Sequence, residues 1–266
     1  MIATVYGDAI LPRGGSLALA DLLVLMERLG AAEGVVRTAV SRMARDGVLE
    51  GRRRGRRSAY ALTASAAAAF RVAGARIYGR DERVWDGRLR LAFPDAGADR
   101  GALEAAGFAV MAPGVLVSPW GAPDGVAWLE AGGPDGMARQ LAARAWPLER
   151  LGEQYSAFGA LFGALLPVPE VEPLDAVAAR IMTVHAWRRM ALRDPWLPAG
   201  LLPEGWPGGL ARDLCVAIYA GVAGASEAWL DGASDGRGML PLGGRPLDRF
   251  QTRGGVPLHP TIRQLD

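Results

Sequence analysis

The chain has 266 residues, half of them hydrophobic, and its formal net charge is only +2. This composition argues against a disordered chain, and the length fits one large domain or two to three small ones. A single cysteine, Cys215, excludes an intramolecular disulfide and a multi-cysteine metal site. Its apolar neighbours predict a buried, inert thiol. No secretory signal precedes the first element and no apolar stretch is long enough to span a bilayer, so we expect a cytoplasmic protein.

The charge is distributed unevenly along the chain. Residues 1–90 hold 16 arginines against 9 acidic residues, whereas residues 91–266 hold 14 arginines against 19 acidic residues. The sequence contains no lysine, so every basic side chain is a guanidinium, which binds phosphate and guanine edges well. The positive first third therefore predicts a polyanion-binding unit at the N-terminus.

The first predicted elements are two helices. Residues 1–11 are mostly apolar and short, and we assign no helix to them. Ser16 is predicted to cap a helix over 16–29, because its leucines and methionine follow helical spacing and Gly30 ends the pattern. A second helical pattern covers residues 32–46 and ends at Gly47.

A basic hairpin follows the second helix. Residues 48–62 read as two short strands joined by a tight turn at Gly55. Thr63 is predicted to cap a linker helix that ends near Tyr78. Five arginines crowd the tip, and like charges packed so closely repel one another unless phosphates neutralise them. They are Arg52, Arg53, Arg54, Arg56 and Arg57.

The second helix has a polar side suited to the major groove. If Val36, Ala39, Val40 and Met43 are buried, helical geometry places an arginine-rich and hydroxyl-rich face toward solvent. That face carries Arg37, Thr38, Ser41, Arg42 and Arg45. Helix, helix and basic hairpin are the parts of a winged helix-turn-helix, so we predict DNA binding by residues 1–80.

The rest of the chain predicts two further units. In residues 81–148, strands near 89–93, 108–111, 115–117 and 126–129 alternate with helices at 99–106 and 137–146, an order that suggests a ferredoxin-like α+β domain. Residues 149–266 hold three long helical patterns, at 149–166, 173–192 and 210–230, and an irregular tail. The predicted fold class is therefore α+β, with a helical C-terminal domain.

Catalytic signals are weak. The two histidines have no metal-ligand spacing, and neither a Walker loop nor a Gly-x-Ser-x-Gly elbow occurs. We expect no enzyme activity, no catalytic residue, no metal and no cofactor. His185, Arg188 and Arg189 on a predicted helix are candidates for contacting an anionic effector, with a helix-surface ion network as the alternative interpretation.

Several motifs of the sequence resemble those of the PaaX family, whose members are bacterial repressors of phenylacetic acid degradation operons. The N-terminal motifs are Gly7-Asp8, Pro12-Arg13-Gly14-Gly15, the run from Val36 to Met43, Asp46-Gly47 and the run from Arg54 to Thr63. The later motifs are the run from Trp85 to Leu89, Ala112-Pro113-Gly114-Val115, Arg193-Asp194-Pro195, Leu197-Pro198, Leu201-Leu202-Pro203 and Trp206-Pro207-Gly208. The resemblance covers the chain to about residue 230, and the tail beyond it matches no motif.

The resemblance implies a homodimeric repressor that an aryl-CoA thioester, phenylacetyl-CoA or a relative of it, releases from its operator. A dimer would read a palindromic operator with half-sites about one helical turn, roughly 34 Å, or a multiple of it apart. A regulator of the same fold that answers a different ligand remains an alternative.

The middle domain is also similar to the Cas2 fold of CRISPR-associated nucleases. Asp95 lies near the position of an acidic residue at the end of the first strand in that fold. A metal-dependent nuclease is therefore the alternative from another functional class, although we favour a role in dimerisation or as a scaffold.

Overall fold

The computed structural model describes residues 1–54, 57–79, 83–95, 97–121, 125–134, 136–233 and 246–251. In chain order its helices are α1 (Ile2–Thr4), α2 (Leu19–Arg28), α3 (Glu33–Arg45), α4 (Ala64–Tyr78), α5 (Arg100–Ala105), α6 (Met137–Ala145), α7 (Leu148–Phe162), α8 (Pro173–Ala191) and α9 (Gly208–Gly232). Its strands are β1 (Leu17–Ala18), β2 (Leu49–Arg54), β3 (Arg57–Leu62), β4 (Leu89–Ala92), β5 (Ala109–Ala112), β6 (Val115–Ser118) and β7 (Trp128–Ala131). The fold is α+β, as predicted.

The N-terminal residues are helical, contrary to the prediction. Helix α1 continues as a π-helix over Val5–Ile10 and a 3₁₀ turn over Leu11–Arg13. Its apolar residues recur at the spacing of one helix face, which buries them in the first core cluster. They are Ile2, Val5, Tyr6, Ala9 and Ile10. This spacing of apolar residues is visible in the sequence, and it is typical of a helix separate from α2.

The start of α2 also differs from the prediction. Ser16 is buried and does not cap the helix, because Leu17 and Ala18 first form β1 and Ala18 is the N-cap residue. Cross-strand pairing decides this local structure, since Leu17 pairs with Tyr60 of β3. The end of the helix was predicted correctly, and Gly30 adopts a left-handed backbone with φ of 80°.

The two strands of the basic hairpin form as predicted, and the predicted turn at Gly55 lies outside the described residues. Strands β2 and β3 pair antiparallel from Leu49 opposite Leu62 to Arg54 opposite Arg57, and β1 joins the other side of β3. Thr63 then caps α4, because its Oγ1 accepts a hydrogen bond of 3.3 Å from the backbone N–H of Ala66.

The middle sheet has the antiparallel order β5-β6-β4-β7. Leu103 of α5 packs in one cluster with Ala92, whereas Ala142 of α6 packs in another with Leu89. Leu89 and Ala92 lie three residues apart on β4 and so face opposite sides of the sheet. The two helices therefore cover opposite faces of the sheet, and α6 follows the last strand. A ferredoxin-like unit has both helices on one face of its sheet, so the helix arrangement here differs from the predicted one.

The three C-terminal helices agree with the predicted patterns and share their cores with the N-terminal part. Val177 and Ile181 of α8 and Leu230 of α9 lie in the cluster that also buries Val36 and Val40 of α3. A second cluster joins the end of α4 to helices α7, α8 and α9. Within the described residues, no helix combines the length and apolar character that crossing a bilayer requires.

Cys215 is predicted to resist alkylation in the native protein. It is fully buried on α9, and burial raises the pKa of its thiol well above the usual range, so little thiolate forms at pH 8. Mass spectrometry after iodoacetamide treatment should find no adduct in buffer and complete modification in denaturant. Rapid labelling in buffer would contradict the buried position.

Candidate nucleic-acid interface

Helix α3 presents the polar face that the sequence predicted. Val36 and Val40 are buried in the first core cluster, and Ala39 and Met43 pack against it half-buried. The opposite side of the helix is exposed to solvent. Its residues are Arg37, Thr38, Ser41, Arg42 and Arg45. The helix therefore holds five hydrogen-bonding side chains on one accessible surface.

The side chains on the exposed face of α3 make only weak contacts with other residues of the same helix. The Arg37 guanidinium pairs with Glu33 one turn earlier at 2.6 Å, and the Thr38 hydroxyl donates to the carbonyl oxygen of Gly34 at 2.8 Å. Both partners of the ion pair are more than half exposed, and such pairs contribute only about 0–1 kcal/mol. Arg42 makes no side-chain hydrogen bond or ion pair with the residues that the structure describes. A phosphate or base edge would meet little competition from these contacts.

The hairpin is attached directly to the end of α3. Gly47 adopts a left-handed backbone with φ of 72°, and the N–H of Val48 donates to the carbonyl oxygen of Met43 at 2.9 Å. The Thr63 hydroxyl donates to the carbonyl oxygen of Gly47 at 2.7 Å. This hydrogen bond ties the residue after the hairpin to the residue before it. Helix α3 and the hairpin are therefore one continuous unit.

The predicted basic tip lies at the far end of the hairpin. Its paired residues, from Leu49 to Arg54, extend about 17 Å at roughly 3.3 Å per residue. Arg52 is half exposed and pairs with Glu50 at 2.8 Å. Arg53, Arg54 and Arg57 lie on the strands, but their side chains are outside the described structure, as is all of Arg56.

A buried ion network that the sequence analysis missed anchors the N-terminal helix. Asp8 accepts hydrogen bonds from Nε of Arg180 at 2.6 Å, Nη1 of Arg249 at 2.7 Å and the hydroxyl of Tyr78 at 2.5 Å. Burial raises the pKa of the Tyr78 phenol well above its ordinary value, so the hydroxyl keeps its proton and donates. These four residues come from the π-helix that follows α1, from α4, from α8 and from the last described segment.

The network extends to α9 through Arg180 and a third arginine, Arg13. Arg13 is buried and binds both Glu227 and Asp231, while Nη1 of Arg180 donates to Glu227 and to the Ser226 hydroxyl. Each buried guanidinium thus has carboxylate partners, which makes its burial tolerable. The network and the shared core together hold the unit that carries α3 against the C-terminal helices.

Comparison with known proteins places these elements in a family. A family model described as PaaX-like protein matches residues 1–66, and one described as PaaX-like protein C-terminal domain matches residues 146–232. The transcriptional repressor PaaX of Escherichia coli (strain K12) is 34% identical over 286 aligned positions, covering 96% of this chain and 90% of that protein. The chain belongs to the PaaX family. Helix α3 and the hairpin both lie within the PaaX-like N-terminal match.

A solved structure is also similar to this PaaX-family chain. An uncharacterized protein from Mycobacterium tuberculosis superposes with a TM-score of 0.50 at 22% identity, covering 79% of this chain and 89% of that chain. At that identity the likeness concerns the fold alone. The motif-based resemblance to PaaX is thus confirmed by the family models and by the identity to the E. coli protein.

The three residues predicted to contact an effector differ in exposure in this PaaX-family structure. Nδ1 of the half-buried His185 lies 2.9 Å from the Thr4 hydroxyl, and Arg188 is buried beside it. Arg189, one turn after His185 on α8, is exposed. The cavity lined by Arg188 has a volume of about 30 Å³, which is room for a water molecule rather than an acyl-CoA. The effector contacts of these three residues remain a prediction.

Asp95, on which the nuclease alternative depends, is exposed three residues after the end of β4. In the ranges that the structure describes, no three His, Cys, Asp or Glu side chains cluster closely enough to hold a metal ion.

Proposed function

We propose that the protein is a DNA-binding transcriptional repressor of a phenylacetate-type catabolic operon. The single observation that carries this proposal is the exposed arginine and hydroxyl face of α3, joined without a break to a hairpin whose tip holds five arginines. Membership of the PaaX family supports it, since the E. coli relative is named a transcriptional repressor.

We infer that the DNA-binding unit is a winged helix-turn-helix. The element order α1, β1, α2, α3, β2, β3 and the sheet order β1-β3-β2 provide two helices joined by a short turn, followed by a hairpin wing. In this unit α3 is the recognition helix. Its arginines would contact guanine edges in the major groove, and the hairpin arginines would contact the phosphate backbone.

The effector and the assembly are further parts of the proposal. The family resemblance supports an aryl-CoA thioester such as phenylacetyl-CoA, which would release the operator by binding better to the conformation that does not fit DNA. A homodimer would match a palindromic operator. The edge strand β7, with exposed Trp128 and Leu129, is a surface that a second copy would cover.

The test is a binding assay with DNA from the promoter regions beside the protein's own coding sequence. Fluorescence anisotropy should show binding to one labelled duplex with at least about a thousandfold preference over scrambled DNA of equal length. Phenylacetyl-CoA, but not acetyl-CoA, should release that duplex. Equal affinity for both duplexes would overturn the repressor proposal, whereas selective binding without release would overturn only the effector.

Removing hairpin charges is expected to flatten the salt dependence of DNA binding. Each of Arg53→Ala and Arg56→Ala should lower the slope of log K against log salt by about 1, since one phosphate contact is lost. Affinity for operator and scrambled DNA should fall by similar factors. Arg139→Ala, which removes an exposed charge on α6, is the matched control. Slopes equal to the wild-type value would show that the hairpin does not contact phosphates.

A further inference from the structure

A cleft of about 350 Å³ lies between the segment before β4 and the loop that joins α8 to α9. Its volume falls within the range of roughly 300–1,000 Å³ that is typical of small-molecule sites. Three indole rings and a guanidinium line it, together with a short turn of backbone. The rings are those of Trp85, Trp120 and Trp196, the guanidinium is that of Arg83, and the turn includes Ala199 and Gly200.

The Trp196 ring is held at the cleft by an unusual backbone conformation. Its φ of 54° lies in the left-handed region, which a bulky residue adopts only where the surroundings enforce it. Asp194 enforces it here, because one carboxylate oxygen accepts the Trp196 N–H at 2.7 Å and the other accepts the Tyr155 hydroxyl at 2.6 Å. Strain of this kind is commonly found at ligand sites.

The Trp85 ring is fixed just as firmly. Its indole N–H donates to the carbonyl oxygen of Arg88 at 2.7 Å. Gly200 lies against the ring so closely that a Cβ added there would come within 2.9 Å of it. Glycine therefore allows the turn at one wall of the cleft to approach the aromatic face on the other.

The charges around the cleft select the kind of ligand. The Arg83 guanidinium lies 3.7 Å from the centre of the Trp120 ring, and that of Arg76 lies 4.6 Å from Trp196. Aromatic cages often bind cations, but a cation here would meet the Arg83 guanidinium and, among the described lining residues, no acidic side chain. A flat aromatic ring attached to a negative group satisfies both features, because it stacks on indole and pairs with guanidinium.

We propose that this tryptophan cleft binds a planar aromatic ring of an anionic ligand. The inference deepens the proposed function, since an aryl-CoA carries two such rings, the aryl group and the purine, along with its phosphates. The cleft lies between the middle sheet and the loop that joins α8 to α9, so a ligand bound there contacts both. Such a ligand shifts the protein toward whichever arrangement of the two it binds better, which is the basis for releasing a repressor.

The test measures ligand affinity by isothermal titration of the full-length protein with phenylacetyl-CoA, coenzyme A and phenylacetate. Ala199→Phe fills the cleft from an exposed position, and Arg83→Gln removes its charge. Each of these two substitutions is expected to weaken phenylacetyl-CoA binding by roughly tenfold or more, because one stacked ring or one charged contact is lost. Ala143→Phe and Arg139→Gln, at exposed sites on α6, should bind like the wild type.

The three probes identify the ring. Binding of phenylacetate alone assigns the cleft to the aryl group, and binding of coenzyme A alone assigns it to the purine. Wild-type affinity in Ala199→Phe, loss of affinity in Arg189→Gln instead, or failure of the wild-type protein to bind any probe would overturn the inference. Operator binding measured without ligand on the same samples tests the repressor proposal separately, so the two failures are distinguishable.

Discussion

Replacing Asp8 with asparagine is expected to lower the free energy of unfolding by about 3–5 kcal/mol, the usual cost of breaking a buried ion pair. The side chain of Asp8 is completely buried and accepts from Arg180, Arg249 and Tyr78. Asparagine has the same shape but no charge, so the buried guanidinium of Arg180 and the half-buried one of Arg249 lose their shared charged partner. Urea unfolding followed by circular dichroism measures the change.

An exposed ion pair provides the control for this substitution. Asp175 pairs with Arg28 at the surface, where both side chains are well exposed, and the hydrogen bond from Arg28 lowers the pKa of Asp175. Asp175→Asn should leave the urea midpoint close to that of the wild type, because solvent screens such a pair. If both substitutions lowered stability equally, the network at Asp8 would not anchor the N-terminal helix.

Replacing Arg42 with alanine is expected to weaken operator binding by about 1–3 kcal/mol, or roughly five- to 150-fold, and to relax the preference for one base pair. Arg42 lies in the middle of the exposed face of α3, where a guanidinium reaches the groove floor in our proposal. Titration of labelled operator variants, each with one base pair changed, shows which position loses its preference.

The matched comparison is between Arg42→Ala and Arg139→Ala, which carry the same charge change on α3 and on α6. Only the first should alter discrimination among the operator variants. A uniform loss of affinity for all duplexes would instead make Arg42 a phosphate contact. Unchanged affinity would exclude α3 as the recognition helix.

Local pattern was enough to predict the elements of the interface. The periodicity over residues 32–46 predicted α3 and its buried face, and the strands flanking Gly55 predicted the hairpin to within a residue or two. Helices α7, α8 and α9 were likewise predicted from their apolar spacing. Each of these elements depends mainly on residues close to one another along the chain.

Local pattern failed where a distant segment decides the conformation. Ser16 has the side chain of a helix cap, yet pairing of Leu17 with Tyr60 makes the next residues a strand. The sequence analysis assigned no helix to residues 1–11, although their apolar spacing is helical. A short segment before a proline and two glycines is more typical of irregular structure. The position of α6 relative to the middle sheet also depends on packing that no local pattern reveals.

The sequence by itself determined the family, the polar face of α3 and the cluster of arginines on the hairpin, because these follow from residue identity and helical or strand period. Only the tertiary structure decided that Asp8 meets Arg180 and Arg249, and that Trp85, Trp120 and Trp196 enclose one cleft. These groups are separated by tens to hundreds of residues. Their meeting depends on how whole helices and sheets pack, which the alternation of apolar and polar residues does not specify.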